Sequence, residues 1–192
     1  MAKIFLTFVI FFGSYLSADE LMAAVKSEYR DPENVIRDEF RNPYETLTFF
    51  GIEPSMKVVE LSPGGGWYTE ILATYLNNSG ELIAAHFDKN SNSNFLKKIR
   101  KNFEKKMDSN SIYEGVKIVD LTSGLTEPMS ADAVLTFRNL HNWLGSTMDT
   151  IFANSFKALK SGGIFGVVEH RAEVGTSIQN MKKSGYVTEE HA

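Results

Sequence analysis

In Val58-Val59-Glu60-Leu61-Ser62-Pro63-Gly64-Gly65-Gly66-Trp67-Tyr68-Thr69-Glu70 the pattern changes twice within thirteen residues. The run over 56–61, rich in β-branched and apolar side chains, reads as a strand. Pro63 and three glycines stop it. Tyr68, Ile71, Leu72, Tyr75 and Leu76 then recur at helical spacing until Asn77-Asn78-Ser79-Gly80 ends the run. A strand, a tight turn and a helix in that order form the opening unit of an α/β fold.

The same alternation extends outward on both sides. Downstream, 82–87 reads as a second strand and 95–107 as an amphipathic helix with Leu96, Ile99, Phe103 and Met107 on one face. Strands at 115–119 and 132–138 are separated by 122–130, a connection too short for a crossover helix. Ser146 with Asp149 predicts a capping box, and Met148, Ile151, Phe152, Phe156 and Leu159 predict the helix face that follows. Ser161-Gly162-Gly163 then turns the chain into a fifth strand over 164–169. Upstream, 19–50 reads as helical, with Asp31-Pro32 and Asn42-Pro43 starting new helices at about 32 and 43. This rhythm predicts a Rossmann-like, doubly wound, mostly parallel sheet covered on both sides by helices.

Composition narrows the function classes. With 192 residues, 43% hydrophobic and 23% charged, the chain is neither intrinsically disordered nor a multi-span membrane protein. The net charge of -4 gives no whole-molecule attraction to nucleic acid. The lysine-rich helix over 95–107 carries a single apolar stripe and reads as a solvated face, which argues further against a nucleic-acid partner. Cysteine is absent, which removes disulfides, thiolate metal sites and cysteine nucleophiles. The histidines at 86, 141, 170 and 191 lack the spacing of a metal site.

The first eighteen residues are of another kind. Lys3 precedes the apolar run 4–12, and small residues precede the acidic pair Asp19-Glu20, the pattern of a signal peptide. The expectation is an exported, periplasmic chain, membrane-anchored if the segment stays uncleaved. The division is then 1–18 signal peptide, 19–50 N-terminal helices and 51–192 α/β domain.

In a doubly wound sheet the loop after the first strand is the usual ligand cradle. Glycines let backbone approach a ligand, and the next helix offers free N–H groups. The dinucleotide fingerprint needs a third glycine where Thr69 stands, and the Walker loop needs a lysine after the glycines; neither is present. An acid, Glu60, ends the strand just before the loop.

With that acid, the segment resembles the first motif of class I S-adenosylmethionine-dependent methyltransferases. Asp120 after the third strand, twelve residues before Asp132, resembles the family's adenine-contacting acid. Leu140-His141 and Leu159-Lys160-Ser161-Gly162-Gly163 are further landmarks. The stretches Arg41-Asn42-Pro43-Tyr44-Glu45-Thr46-Leu47 and Val168-Glu169-His170-Arg171 are similar to a bacterial group of predicted exported methyltransferases. The resemblance implies S-adenosylmethionine as cofactor and a small-molecule acceptor that it does not specify. It places the methionine end at Glu60 and the loop Ser62, Pro63, Gly64, Gly65 and Gly66, the ribose at Asp88, and the adenine at Asp120 and Leu121. Arg138 joins the cofactor set, and Asn139, Trp143, His170 and Arg171 form the acceptor side. His141 is the candidate catalytic base, against the alternative of a hydrogen-bonded structural histidine. Trp67 and Tyr68 either line the cofactor's sulfonium or belong to the core.

Three departures from the family stand out. Ser62 occupies the first loop glycine, and Pro63 after it predicts an extended residue 62. His86 occupies the place of the ribose-gripping acid, with Asp88 two residues on. Five strands are counted against the family's seven, with 185–190 resembling a helix start, so the reading predicts a C-terminally truncated sheet whose fifth strand exposes an edge. These departures keep two rivals open: a non-catalytic exported binding protein that retains the fold, and a dinucleotide oxidoreductase, which the missing glycine opposes.

Overall fold

The structure is a computed structural model that describes residues 13–192. The predicted export segment therefore lies largely outside the described residues. The first helix, α1 (Gly13–Val25), runs through residue 18, and α2 (Pro32–Val35), α3 (Asp38–Arg41) and α4 (Pro43–Phe49) follow. Then come β1 (Lys57–Leu61), α5 (Trp67–Leu76), β2 (Glu81–His86), α6 (Asn94–Met107), β3 (Lys117–Asp120) and β4 (Ala131–Phe137). The chain continues through α7 (Leu140–Trp143), α8 (Ser146–Ala158), β5 (Leu159–Val168), β6 (His170–Arg171), α9 (Ile178–Ser184) and β7 (Tyr186–Val187). Among the described residues no helix is long and apolar enough to cross a membrane.

Strands β1 to β5 form one parallel sheet in the order β3-β2-β1-β4-β5. The chain winds outward from β1 to β3, then returns to place β4 on the other side of β1. Both faces are covered, so β1 is buried from Val58 to Leu61 instead of alternating. Val58, Ala84 and Leu135 face a layer built from α1, α4, α5 and α6, with Leu47, Leu72 and Phe103 fully buried in it. Val59, Ile83 and Val134 face α7, α8 and α9, where Leu140, Ile151 and Met181 fill the space.

The helix starts at 32 and 43 are observed. Asp31 accepts from Glu33 N–H at 2.9 Å and Pro32 takes the first helical position, where its missing N–H costs nothing. Asn42 differs from expectation: at φ +44° it ends α3 in the left-handed region, and its side chain caps nothing. The capping box at Ser146 also fails to form. Gly145 holds the cap position at φ +107°, which is open to glycine, and Ser146 is already helical.

The C-terminal third departs most from expectation. The fifth strand begins at Leu159, directly after α8; Ala131 pairs Leu159 and Ala133 pairs Ile164, so residues 160–163 loop out between two registers. Gly185, expected to open a helix, instead ends α9 at φ +79°, and Tyr186–Val187 pairs with His170–Arg171 as a second small parallel sheet. Met181 explains the difference, since its burial against the main sheet fixes α9 before residue 185 is reached. Among the described residues β5 pairs only with β4, and Phe165 on β5 is partly exposed and meets Phe152 of α8 edge to face.

Gly80 joins α5 to β2 in a space with no room for a side chain. A Cβ there would lie 2.6 Å from the backbone oxygens of both Met56 and Pro54, which cannot move independently of the sheet. Gly80→Ala is expected to destabilise the fold by about 1–3 kcal/mol in urea unfolding. Gly115→Ala, whose Cβ meets nothing, should stay within about 0.5 kcal/mol of wild type. Equal effects at the two positions would contradict the packing described.

Candidate functional site

The glycine loop leaves β1 with an abrupt change of direction. Ser62 N–H still donates to Ala85 O at 2.8 Å, so the residue is held in the sheet, yet its φ is +50° instead of the extended value expected before proline. The turn that swings the chain over the strand end wins over the proline preference, and Ser62 adopts a conformation that glycine takes at no cost. Its hydroxyl is buried without a partner among the described residues. Gly66 N–H donates to Pro63 O at 2.9 Å, and Gly64 and Gly66 sit at φ +61° and +84°. A Cβ on Gly66 would press on the Phe103 ring at 3.3 Å, whereas one on Gly64 would meet no protein atom.

His86 holds this loop from the next strand. Phe87 N–H donates to Nδ1 at 2.8 Å, which leaves Nε2 to carry the proton and donate to Gly64 O at 3.1 Å. Burial pushes the imidazole down to about 4, helped by the charge of Arg100 and opposed by the Gly64 bond, so the ring is neutral at pH 7. His86, read from the sequence as occupying the place of a ribose-gripping acid, therefore binds the loop's backbone.

Beyond the loop, across the ends of β1 to β4, lies a cleft of about 530 Å³. Gly64 is at one end; Phe87, Phe95, Leu96, Ile99 and Leu121 supply apolar wall, and Asp88, Thr122 and Asn142 supply polar groups. This explains the length of the apolar stripe on α6: Phe103 and Met107 are core, while Leu96 and Ile99 line the cleft. Asp88 reaches the rim, where Thr122 Oγ1 donates to it at 2.7 Å. Leu121 lines the cleft, but the Asp120 carboxylate turns to Arg100 Nη1 at 3.2 Å and to Lys89 N–H at 3.2 Å, outside the apolar wall. Trp143 lines the cleft with its indole N–H buried and without a partner among the described residues.

Glu60 lies below the loop, 2% exposed, and Thr69 Oγ1 donates to its Oε2 at 2.6 Å. Burial pushes its carboxyl up to about 7, against the Thr69 bond and the charge of Lys106. Trp67 and Tyr68 are core residues: the indole donates to Asn34 O at 2.8 Å, and the phenol ring stacks on Phe137 with centroids 3.5 Å apart. Neither reaches the cleft. Arg138 takes φ +62° just after β4, and its charge, with that of Arg41, acts on Tyr68.

The remaining expected site residues are placed elsewhere. Asn139 Nδ2 lies within 3.5 Å of Leu61 O, Ser62 O, Thr136 Oγ1 and Phe137 O, where it clamps the ends of β1 and β4 together. His141 Nδ1 meets Glu169 Oε2 at 3.1 Å, and its far ring edge faces Gly185, so it joins α7 to the C-terminal segment. His170 stacks on Tyr186, and Arg171 pairs with Glu189 at 2.8 Å on the surface. Sequence reasoning missed His86 as a loop clamp and Phe87, Leu96, Ile99 and Asn142 as cleft wall. The one available signal was the apolar stripe on α6, which extends beyond what the core needs.

No protein-family model and no curated protein matches the chain. Among solved structures it is similar to a SAM-dependent methyltransferase from Aquifex aeolicus, with 15% identity and a TM-score of 0.63 over 88% of this chain and 81% of that one. A SAM-dependent O-methyltransferase from Thermotoga maritima matches with 18% identity and a TM-score of 0.51, over 88% of this chain and 54% of that one. A geranyl diphosphate methyltransferase in complex with SAM matches with 12% identity and a TM-score of 0.56, over 88% of this chain and 70% of that one. The fold is thus the Rossmann-like fold of the class I methyltransferases.

Glu60 makes the fold sensitive to pH in a definite direction. Its folded value of about 7 lies above the ordinary 4.5, so ionisation destabilises the folded state increasingly from pH 4.5 to 7 and by a constant amount above. Glu60→Gln should therefore gain on wild type by up to about 3 kcal/mol between pH 4.5 and 8 in urea unfolding. A stability gap that stays flat across this range would show that Glu60 carries no such burden.

Proposed function

We propose that the cleft binds S-adenosylmethionine and that the chain transfers its methyl group to a small-molecule acceptor. The observation that carries this reading is the cleft itself, at the place where the strand order reverses, with Gly64 at one end and an apolar wall with polar groups at the other. The residues present fit such a cofactor. A Cβ on Gly64 would project into free space, room that a ligand's backbone contact requires. Phe87, Leu96 and Leu121 suit the faces of a purine, and Asp88 offers the carboxylate that sugar hydroxyls take. Asp120 is tied to Arg100, so the base would rest on apolar contacts more than on that acid.

When bound, the cofactor supplies an electrophilic methyl on a sulfonium. The chain's part is to orient it and exclude water, and for in-line transfer positioning supplies most of the acceleration. Asp88 is the titratable side chain on the cleft wall. His141 is adjacent in sequence to the wall residue Asn142 but bonded to Glu169, so the reading assigns it no proton transfer. Export to the periplasm rests on residues 1–18 alone, and with it any membrane association. A second reading, a binding protein that has kept the fold without chemistry, is favoured by the Asp120–Arg100 pair and the position of His141.

Calorimetric titration of the full-length chain tests the reading. S-adenosylmethionine is expected to bind saturably in the micromolar range, and NADH is not. Gly64→Val fills the cleft end and strains a residue at φ +61°, so it should weaken binding by at least about tenfold, or 1.4 kcal/mol. A folded protein that binds no S-adenosylmethionine would sink the reading.

A further inference from the structure

The arginines of this chain fall into two groups. Arg30, Arg100 and Arg171 each meet a carboxylate. Arg37, Arg41 and Arg138 form no ion pair among the described residues. Asp38, next in sequence to Arg37, gives both oxygens to Arg30, at 2.6 and 2.8 Å. The unpaired arginines nevertheless converge from distant parts of the chain: Arg41 is the last residue of α3, and Arg138 follows β4 at the carboxyl edge of the sheet.

Arg41 is partly buried and strongly positioned. Its guanidinium lies over the Trp67 ring, 4.7 Å from the centroid, and its Nε is buried with no acceptor among the described residues. Burial, followed by the charges of Arg37 and Arg138, lowers it to about 10, with Tyr68 and Asp38 acting the other way. Arg138 is fixed in turn by its N–H, which donates to Val168 O at 2.7 Å while its φ stands at +62°. Three costs thus coincide: like charges gathered together, a buried donor left unpaired, and a left-handed arginine. One ligand chemistry would relieve the first, an oxyanion that accepts from the guanidinium forks. None of these arginines lines the apolar cleft; the charges of Arg41 and Arg138 both act on Tyr68, whose ring stacks on Phe137, the residue before Arg138.

We propose that Arg41 and Arg138, with Arg37 beside them, form a receptor for a carboxylate or phosphate on the methyl acceptor, next to the cofactor cleft at the carboxyl end of β4. The assignment of the anion to the acceptor rests on the methyl-transfer reading above. It predicts acidic acceptors and a poor response to neutral ones.

The test uses the full-length chain labelled with 15N-arginine, the Arg41 Nε–H signal being identified by its loss in Arg41→Gln. Inorganic phosphate and acetate are titrated separately at constant ionic strength, which separates the two oxyanion sources. The expected result is a saturable shift of the Arg41 signal with at least one of them, weakened about tenfold in Arg138→Gln. Arg41→Gln should unfold no earlier than wild type without anion, because it removes a repelled charge, and should lose the anion's stabilisation; earlier unfolding together with unchanged anion binding would mark Arg41 as purely structural and overturn the proposal. No saturable shift with either anion also overturns it. A second arm measures S-adenosylhomocysteine and 5′-methylthioadenosine, which lacks the amino-acid end, against wild type and Arg41→Gln. Both are expected to bind the two proteins alike. Loss of S-adenosylhomocysteine alone would assign the arginines to the cofactor's own carboxylate and overturn the acceptor site. Failure of both nucleosides on wild type, with the phosphate or acetate shift intact, would sink the methyl-transfer reading and leave the oxyanion receptor standing.

Discussion

The geometry of the cleft depends on one imidazole. His86 takes a proton donor from its own strand end and gives one to Gly64, and this pair of bonds ties the second strand to the loop that leaves the first. The loop needs such a tie, since Ser62 enters it in a conformation unfavourable to any residue but glycine. Asn139 supplies the matching restraint from the other side by bridging the ends of β1 and β4. Between the two clamps, the glycine turn is set at the point where the strand order reverses, and the cleft takes its shape from that.

His86 and Glu60 stand on the same face of the sheet and are displaced in opposite senses by the same cause. Burial keeps the histidine unprotonated, to about 4, and favours the protonated carboxyl, up to about 7. The stability that depends on neutral His86 is present above about 6.5 and lost as pH falls toward 4. The burden of ionised Glu60 is absent below about 4.5 and grows toward 7. The two slopes oppose each other between about 4.5 and 6.5.

The N-terminal helices are held over this layer by charges that are buried and paired. Arg30 is 4% exposed; it donates to Val25 O and Asp38, lies over Trp67, and comes within 3.6 Å of Glu70. Glu70 in turn accepts from Asn34 and Lys106, so α2, α5 and α6 meet at one carboxylate. Removing one member of such a network leaves an uncompensated buried charge, a loss of about 3–5 kcal/mol. The same helices carry Arg41 to the side of Trp67, so the anchoring of the cover also presents an unpaired guanidinium at the sheet's carboxyl edge.

The sequence by itself determined the sheet's strands, the helices between them and the glycine turn after the first strand. Those features follow from the spacing of apolar side chains and from proline and glycine chemistry, which act over a few residues. Gly64, Asp88 and Leu121, which the family resemblance singled out for the cofactor, line the cleft. Only the tertiary structure decided what His86, Asp120, Asn139 and His141 do, because each bonds a partner 20 or more positions away. A polar side chain has the same local signature whether it faces a ligand or a carbonyl. Which it meets is fixed by the register of parallel strands and by the turn angles of Ser62 and Arg138, and neither leaves a mark in the spacing of residues along the chain.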